Sequence, residues 1–160
     1  MSYGPEEMAR EAVELFKSGY HCSQAIFAVG AKLLGRQAPD VADVVSALAP
    51  FGGGLGSTGR VCGSLPGALA AIGLTLGKAE PGQRDHKAMW RLSYKMVKEF
   101  EAITGPYGGM ECKDIARVNW KDIKEVKAFR KDPDSRQKEC HRVIAETARA
   151  LGGLLGDLER

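Results

Sequence analysis

The chain has almost no strand signal. Alternating runs and β-branched clusters are scarce, and helical spacing dominates. No apolar run reaches the length of a membrane span. The longest uncharged stretch, between Arg60 and Lys78, falls short of the roughly 20 residues required and is broken by Pro66 and several glycines. Aromatic residues are 7% of the chain and scattered, so no series exists on which bases would stack. A net charge of +3 is too small to mark a nucleic-acid surface. There is no CxxC, CxxCH or paired zinc-knuckle spacing, which argues against a thioredoxin-like dithiol, a c-type haem and a zinc knuckle. No acid–base pair, serine triad or HExxH motif supports a hydrolase.

The expectation is therefore a protein with no nucleic-acid partner and no membrane span. The opening MSYGPEEMAREAVELF is charged and amphipathic, unlike a secretory signal, so a cytoplasmic location is expected. At 160 residues the chain is long enough for one domain with a core, and no repeat or linker divides it. We read residues 1–160 as a single four-cysteine domain. Its fold class is all-α, a helical bundle of about five to seven helices around a Gly-rich central helix.

The first helix starts near Pro5, with Glu6 and Glu7 favourable to its dipole, and Gly19 ends it. The second opens at about Cys22 and closes at Gly35, with Cys22, Ala25, Ile26, Val29 and Leu33 as its stripe. A short third helix follows Pro39, with Asp40 as N-cap and Val41, Val44, Val45 and Leu48 inward, and stops at Pro50. The loop FGGGLGSTGR then feeds VCGSLPGALAAIGLTLG. There Cys62, Leu65, Leu69, Ile72 and Leu76 share a face, while Gly63, Gly67, Ala70 and Gly73 permit close backbone approach. A fifth helix is expected from about Gln83 to Thr104, with Met89, Leu92, Met96, Phe100 and Ile103 inward. A helical turn follows at Cys112. Residues 120–130 read as a charged surface helix or lid, and a last helix is capped by Asp134.

What the chain does have is four cysteines, Cys22, Cys62, Cys112 and Cys140, each on the apolar face of a different helical segment near its start. Permanent disulfides are rare in a reducing compartment, so four inward thiols call for another account. A helix start offers unpaired N–H groups and the positive end of the dipole. Both favour the thiolate, which is the nucleophile and the metal ligand. Cys22, Cys62 and Cys112 fall in a first turn, Cys140 about one turn further in. Any one such cysteine reads best as a small hydrophobe; four together weaken that reading. Pro66 bears on Cys62 in one of two ways. It kinks the helix if Cys62 is helical, or it sits harmlessly in the first turn.

HCSQAI around Cys22, FGGGLGSTGRVCGSLPGALAAIGLTLG around Cys62, and the later Cys112 and Cys140 together resemble the CGAxxG-type four-cysteine family of redox-active proteins. The similarity runs from about Cys22 to Ala150. It implies a small helical bacterial or archaeal protein with a redox role, and carries the family's four cysteines onto Cys22, Cys62, Cys112 and Cys140. Two departures are Ser64, where the motif usually has alanine, and His141 after Cys140, where many relatives have proline. The Ser64 hydroxyl can donate to a nearby sulfur or bond back to its own helix.

Gly54-Leu-Gly56-Ser-Thr-Gly59 matches GxGxxG, but the dinucleotide fingerprint needs a strand before it, and Pro50 interrupts the approach. A tight loop is the better reading; a nest of N–H groups facing an anion, with Arg60 adding charge, is a further option. His21 and His141 adjoin cysteines, yet neighbours on a helix do not share a face, so neither is expected to co-ligate. His86 reads as solvated, and Trp90 and Trp120 as core or rim. The charges from Lys121 to Lys138 alternate in sign, as on a solvated face.

Three functions fit. In the first, Cys22, Cys62, Cys112 and Cys140 ligate an iron–sulfur cluster or another thiophilic metal, for electron transfer or redox sensing. Gly59, Gly63 and Ser64 would then surround the cofactor. In the second no cofactor is present, and Cys62 and Cys22 form a reversible disulfide as the catalytic pair. The third is a non-catalytic helical binding module with buried cysteines. The first two require a redox partner, and a homo-oligomer is compatible with all three.

Overall fold

Helical spacing becomes helix along most of the chain. The computed structural model describes residues 2–159, so the ends of the expected 1–160 domain, Met1 and Arg160, lie outside the described residues. Among the described residues the α-helices are α1 (Pro5–Lys17), α2 (Cys22–Leu33), α3 (Ala42–Ala47), α4 (Ser64–Leu76), α5 (Met89–Thr104), α6 (Cys112–Ile115), α7 (Ile123–Lys131) and α8 (Gln137–Gly156). That is one more than the expected range, because the charged stretch after Trp120 is a helix. The only β pairing among the described residues is an isolated antiparallel bridge between Val61 and Glu111, so the strand a dinucleotide loop requires is missing. None of these helices is long and apolar enough to cross a membrane.

Local chemistry accounts for the boundaries. Pro5 occupies the first position of α1, and the Gly4 N–H donates to the Glu7 carboxylate at 3.3 Å. The His21 N–H donates to the Gln24 side chain at 3.0 Å at the start of α2. Asp122 caps α7 by accepting from the N–H groups of Lys124 and Glu125 at 3.0 and 3.2 Å.

Three boundaries differ from expectation. The fifth helix starts at Met89, six residues after Gln83, because Gln83 and Asp85 are occupied elsewhere. Their side chains accept from the N–H groups of Ala79, Glu80 and Lys78 and hold residues 78–85 as turns. Asp134 does not cap α8: the Ser135 hydroxyl accepts from the Gln137 N–H at 3.2 Å instead. Asp40 lies inside a 3-10 turn, Ala38–Val41, ahead of α3, and Val44 is exposed.

α1 packs against α2 and α8; α2 also lies along α4; α4 in addition touches α5 and α8. The Gly-rich α4 shares the centre of the bundle with α2 and α8. Gly67 abuts the backbone of Ser23, whereas Gly73 faces open space. Met8, Phe27, Ile72, Met96, Phe100, Ile144 and Leu151 fill the main core and are each at most 1% exposed. Burying one such side chain stabilises by roughly 1.5–3 kcal/mol. A second, smaller cluster gathers Cys112, Ala116, Val118 and Phe129 where α6 and α7 meet the start of α8. Cys62 belongs to the main core, and Cys140 touches both clusters.

Candidate redox site

Backbone pairing brings the distant cysteines together. The Lys113 N–H donates to Gly59 O at 3.0 Å, the Cys112 N–H to Arg60 O at 2.6 Å, and the Cys62 N–H to Met110 O at 2.9 Å. This short zipper sets Cys62 beside Cys112. The Arg136 guanidinium donates to Ile115 O at 3.0 and 3.2 Å, which fastens the start of α8, and so Cys140, to α6. Cys22, the first residue of α2, reaches Cys62 across Gly63. A Cβ at Gly63 would lie 2.8 Å from Cys22 Sγ and 2.7 Å from Phe51 O, so only glycine leaves room for the thiol.

The Gly-rich loop is what makes the zipper possible. Gly53, Gly54, Leu55, Gly56 and Ser57 are all left-handed, with φ between 63° and 71°. At Leu55 and Ser57 this costs roughly 1–2 kcal/mol each. The N–H groups of Leu55, Gly56, Ser57, Gly59 and Arg60 donate to the loop's own and preceding carbonyls. Those groups are not turned to an anion, and Arg60 is exposed and lines no part of the cysteine cavity. The tight-loop reading holds. Gly54 permits the closest approach: a Cβ there would meet Cys112 Cβ at 2.6 Å.

Cys22, Cys62, Cys112 and Cys140 all line one cavity of about 740 Å³. All four are free thiols. They are not chemically alike. The neighbouring Cys22 thiol lowers Cys62 to about 7 against the opposing cost of burial, and the Ser64 backbone pushes the same way. The neighbouring Cys62 sulfur raises Cys22 well above the ordinary thiol range, with burial adding to it. Burial lifts Cys112 to about 11, partly offset by the Trp120 indole N–H, which donates to its sulfur at 3.3 Å. Burial also raises Cys140, as do the neighbouring sulfurs of Cys62 and Cys112.

Several expectations are corrected here. Cys62 is not helical: it lies two residues before α4, so Pro66 is the third residue of that helix, where its missing N–H costs nothing. Helix starts do not by themselves favour the thiolate at every position: burial raises Cys112 and Cys140 above the ordinary thiol range. Gly59, Gly63 and Ser64 do not line the cavity. Gly59 backs α6 and Gly63 seats Cys22. The Ser64 hydroxyl, fully buried behind Cys62, makes no hydrogen bond of good geometry. His141 turns away from the cavity and packs edge-on to Phe16 at 5.6 Å. His21 does line it, since it precedes α2 and the rule for helical neighbours does not apply.

Trp120 was not expected at the site. It stacks edge-on over Phe129 at 5.3 Å and presents its N–H to Cys112. The Asp122 cap two residues later was the available sign that the chain turns back at this point. By type, four thiols and an N–H donor suit a thiophilic metal. By placement, no group of three or more His, Cys, Asp or Glu side chains among the described residues is arranged to hold a metal ion.

An all-α bundle with four thiols facing one cavity defines a class of helical cysteine proteins. Within that class the chain belongs to the family described as "Putative redox-active protein (C_GCAxxG_C_C)", which matches residues 20–154 and thus spans all four cysteines. No curated protein and no solved structure matches the chain.

Proposed function

We propose that the cavity is a thiol redox centre in which Cys22 and Cys62 interconvert between dithiol and disulfide. The observation that supports this is the placement of Cys22 and Cys62 on one cavity, with Gly63 leaving room for the Cys22 sulfur beside the Cys62 turn, and the Cys22 thiol drawing Cys62 below the ordinary thiol range points the same way. The Cys62 thiolate attacks one sulfur of a partner disulfide, and the other sulfur leaves as a thiolate that takes a proton from water. Cys22 then loses its proton to solvent and attacks the Cys62 sulfur of the mixed disulfide. The partner disulfide has become two thiols, and Cys22–Cys62 has become the disulfide. A redox partner must reduce it again, as suits a reducing cytoplasmic compartment where such bridges are transient.

Thiol counting tests the reading. Oxidation should remove two titratable thiols, restored by reductant, from protein that carries no metal or acid-labile sulfide. Four titratable thiols before and after oxidation would refute it. A second reading is favoured by the convergence of all four cysteines on one cavity and by the Trp120 N–H on Cys112. In it, Cys22, Cys62, Cys112 and Cys140 hold an iron–sulfur cluster or other thiophilic metal, which would supply one-electron transfer. Protein purified without oxygen would then contain stoichiometric metal and sulfide, lost in Cys62→Ser.

A further inference from the structure

Asp and Glu make up 20 of the 160 residues, yet among the described residues none lines the cysteine cavity. Its charged lining residues are instead Lys17, at the end of α1, and Arg130, in the last turn of α7. Arg130 makes no ion pair among the described residues. Lys17 has only an exposed pair with Glu14 at 3.3 Å, of a kind that is easily given up. The rings of Tyr20 and Trp120 add apolar wall beside the cations. The volume of about 740 Å³ falls within the range of about 300–1,000 Å³ typical of small-molecule sites. Cys62 is only 8% exposed, which favours a small disulfide that enters the cavity over one on the surface of a folded protein.

We infer that the cavity selects a small anionic ligand, and that on the dithiol reading above this is a carboxylate-bearing low-molecular-weight disulfide. Lys17 and Arg130 draw the carboxylates, the aromatic rings cover the connecting chain, and the sulfur–sulfur bond meets Cys62. Charge of one sign in a recessed cavity raises the local concentration of the opposite charge, and salt weakens the effect.

The test compares three disulfides on the reduced protein: dithiodipropionate with two carboxylates, neutral hydroxyethyl disulfide, and cystamine with two ammonium groups. Each rate is divided by that of dithiothreitol with the same disulfide, which removes leaving-group differences. The normalised rates should fall in that order, by about tenfold or more from first to last at low salt, and the spread should shrink as salt rises. The double variant K17Q/R130Q should compress the spread to within about threefold.

A second arm uses suberate, the all-carbon analogue of dithiodipropionate, which cannot exchange. It should slow alkylation of Cys62 by iodoacetamide in the parent protein and not in K17Q/R130Q. Exchange with equal normalised rates and no suberate protection would overturn the inference and leave the dithiol standing. Suberate protection with no exchange of any disulfide would overturn the dithiol and leave the anion site standing. Reduction of insulin's disulfides with all three small disulfides spared would overturn the inference in favour of a protein substrate.

Discussion

The two sides of the cysteine cavity differ in what surrounds the sulfur. On one side Cys22 and Cys62 sit against the main core, and the Cys22 thiol pulls Cys62 down to about 7. On the other, Cys112 belongs to the small α6–α7 cluster and Cys140 joins that cluster to the main core, and burial pushes both up. The residue type and the cavity are the same, and three of the four cysteines lie within a helix. What separates them is whether a hydrogen-bond donor meets the sulfur strongly enough to offset desolvation. Cys62 has a neighbouring thiol and the Ser64 backbone; Cys112 has one indole N–H; for Cys140 the main offset is the charge of Arg136. On the proposed dithiol reading, the reactive side is the one where two thiols meet.

The largest break in this comparison comes from Cys62→Ser. Cys62, drawn down to about 7, carries far more thiolate at pH 7 than Cys112, which burial pushes up to about 11. Alkylation by iodoacetamide at pH 7 should slow by at least about a hundredfold. In the parent protein the Cys62 rate should climb as pH rises through about 7 and then level off, while the Cys112 rate still climbs above pH 9 towards about 11. A single profile shared by all four cysteines would contradict the division.

Cys22→Ala sharpens it next. The variant removes both the donor to Cys62 and the thiol that resolves the mixed disulfide. The midpoint of the Cys62 profile should move upward. Incubation with a small disulfide should leave a stable adduct of one half-molecule on Cys62, visible as added mass. Gly63→Ala tests the seat of Cys22: a Cβ there meets Cys22 Sγ at 2.8 Å and backbone at 2.7 Å. Forcing it in should cost about 1–3 kcal/mol in denaturant unfolding and blunt Cys62 reactivity. The smallest effect belongs to Trp120→Phe, which keeps a ring over Phe129 and deletes the N–H bond to Cys112. Cys112 should titrate higher still, with Cys62 unmoved and stability changed by less than about 1.5 kcal/mol.

Much of the bundle was legible because burial writes a period into the chain. Of the residues spaced on one face of α8, Cys140, Val143, Ile144, Thr147, Leu151 and Leu155, all but the half-buried Cys140 are buried, and Gly19 and Gly35 follow α1 and α2 with positive φ. Boundaries failed where a polar side chain chose between helix and turn, as Gln83 and Asp85 did, since that choice depends on which N–H lies nearby in the fold. The convergence of the four cysteines could be suspected from their faces. Its cause could not: the 59–62 to 110–113 zipper is made of backbone atoms, which carry no side-chain signature. The ranking of the thiols was also beyond reach, because it turns on single contacts from Trp120, Ser64 and the neighbouring sulfur.

Disulfide mapping tests the division most directly. Reduced protein is treated with one equivalent of a disulfide reagent, remaining thiols are alkylated, and the digest is read by mass spectrometry. The account predicts a cross-link joining the peptides of Cys22 and Cys62, with Cys112 and Cys140 alkylated. A bridge between Cys112 and Cys140, or alkylation of all four, would contradict it.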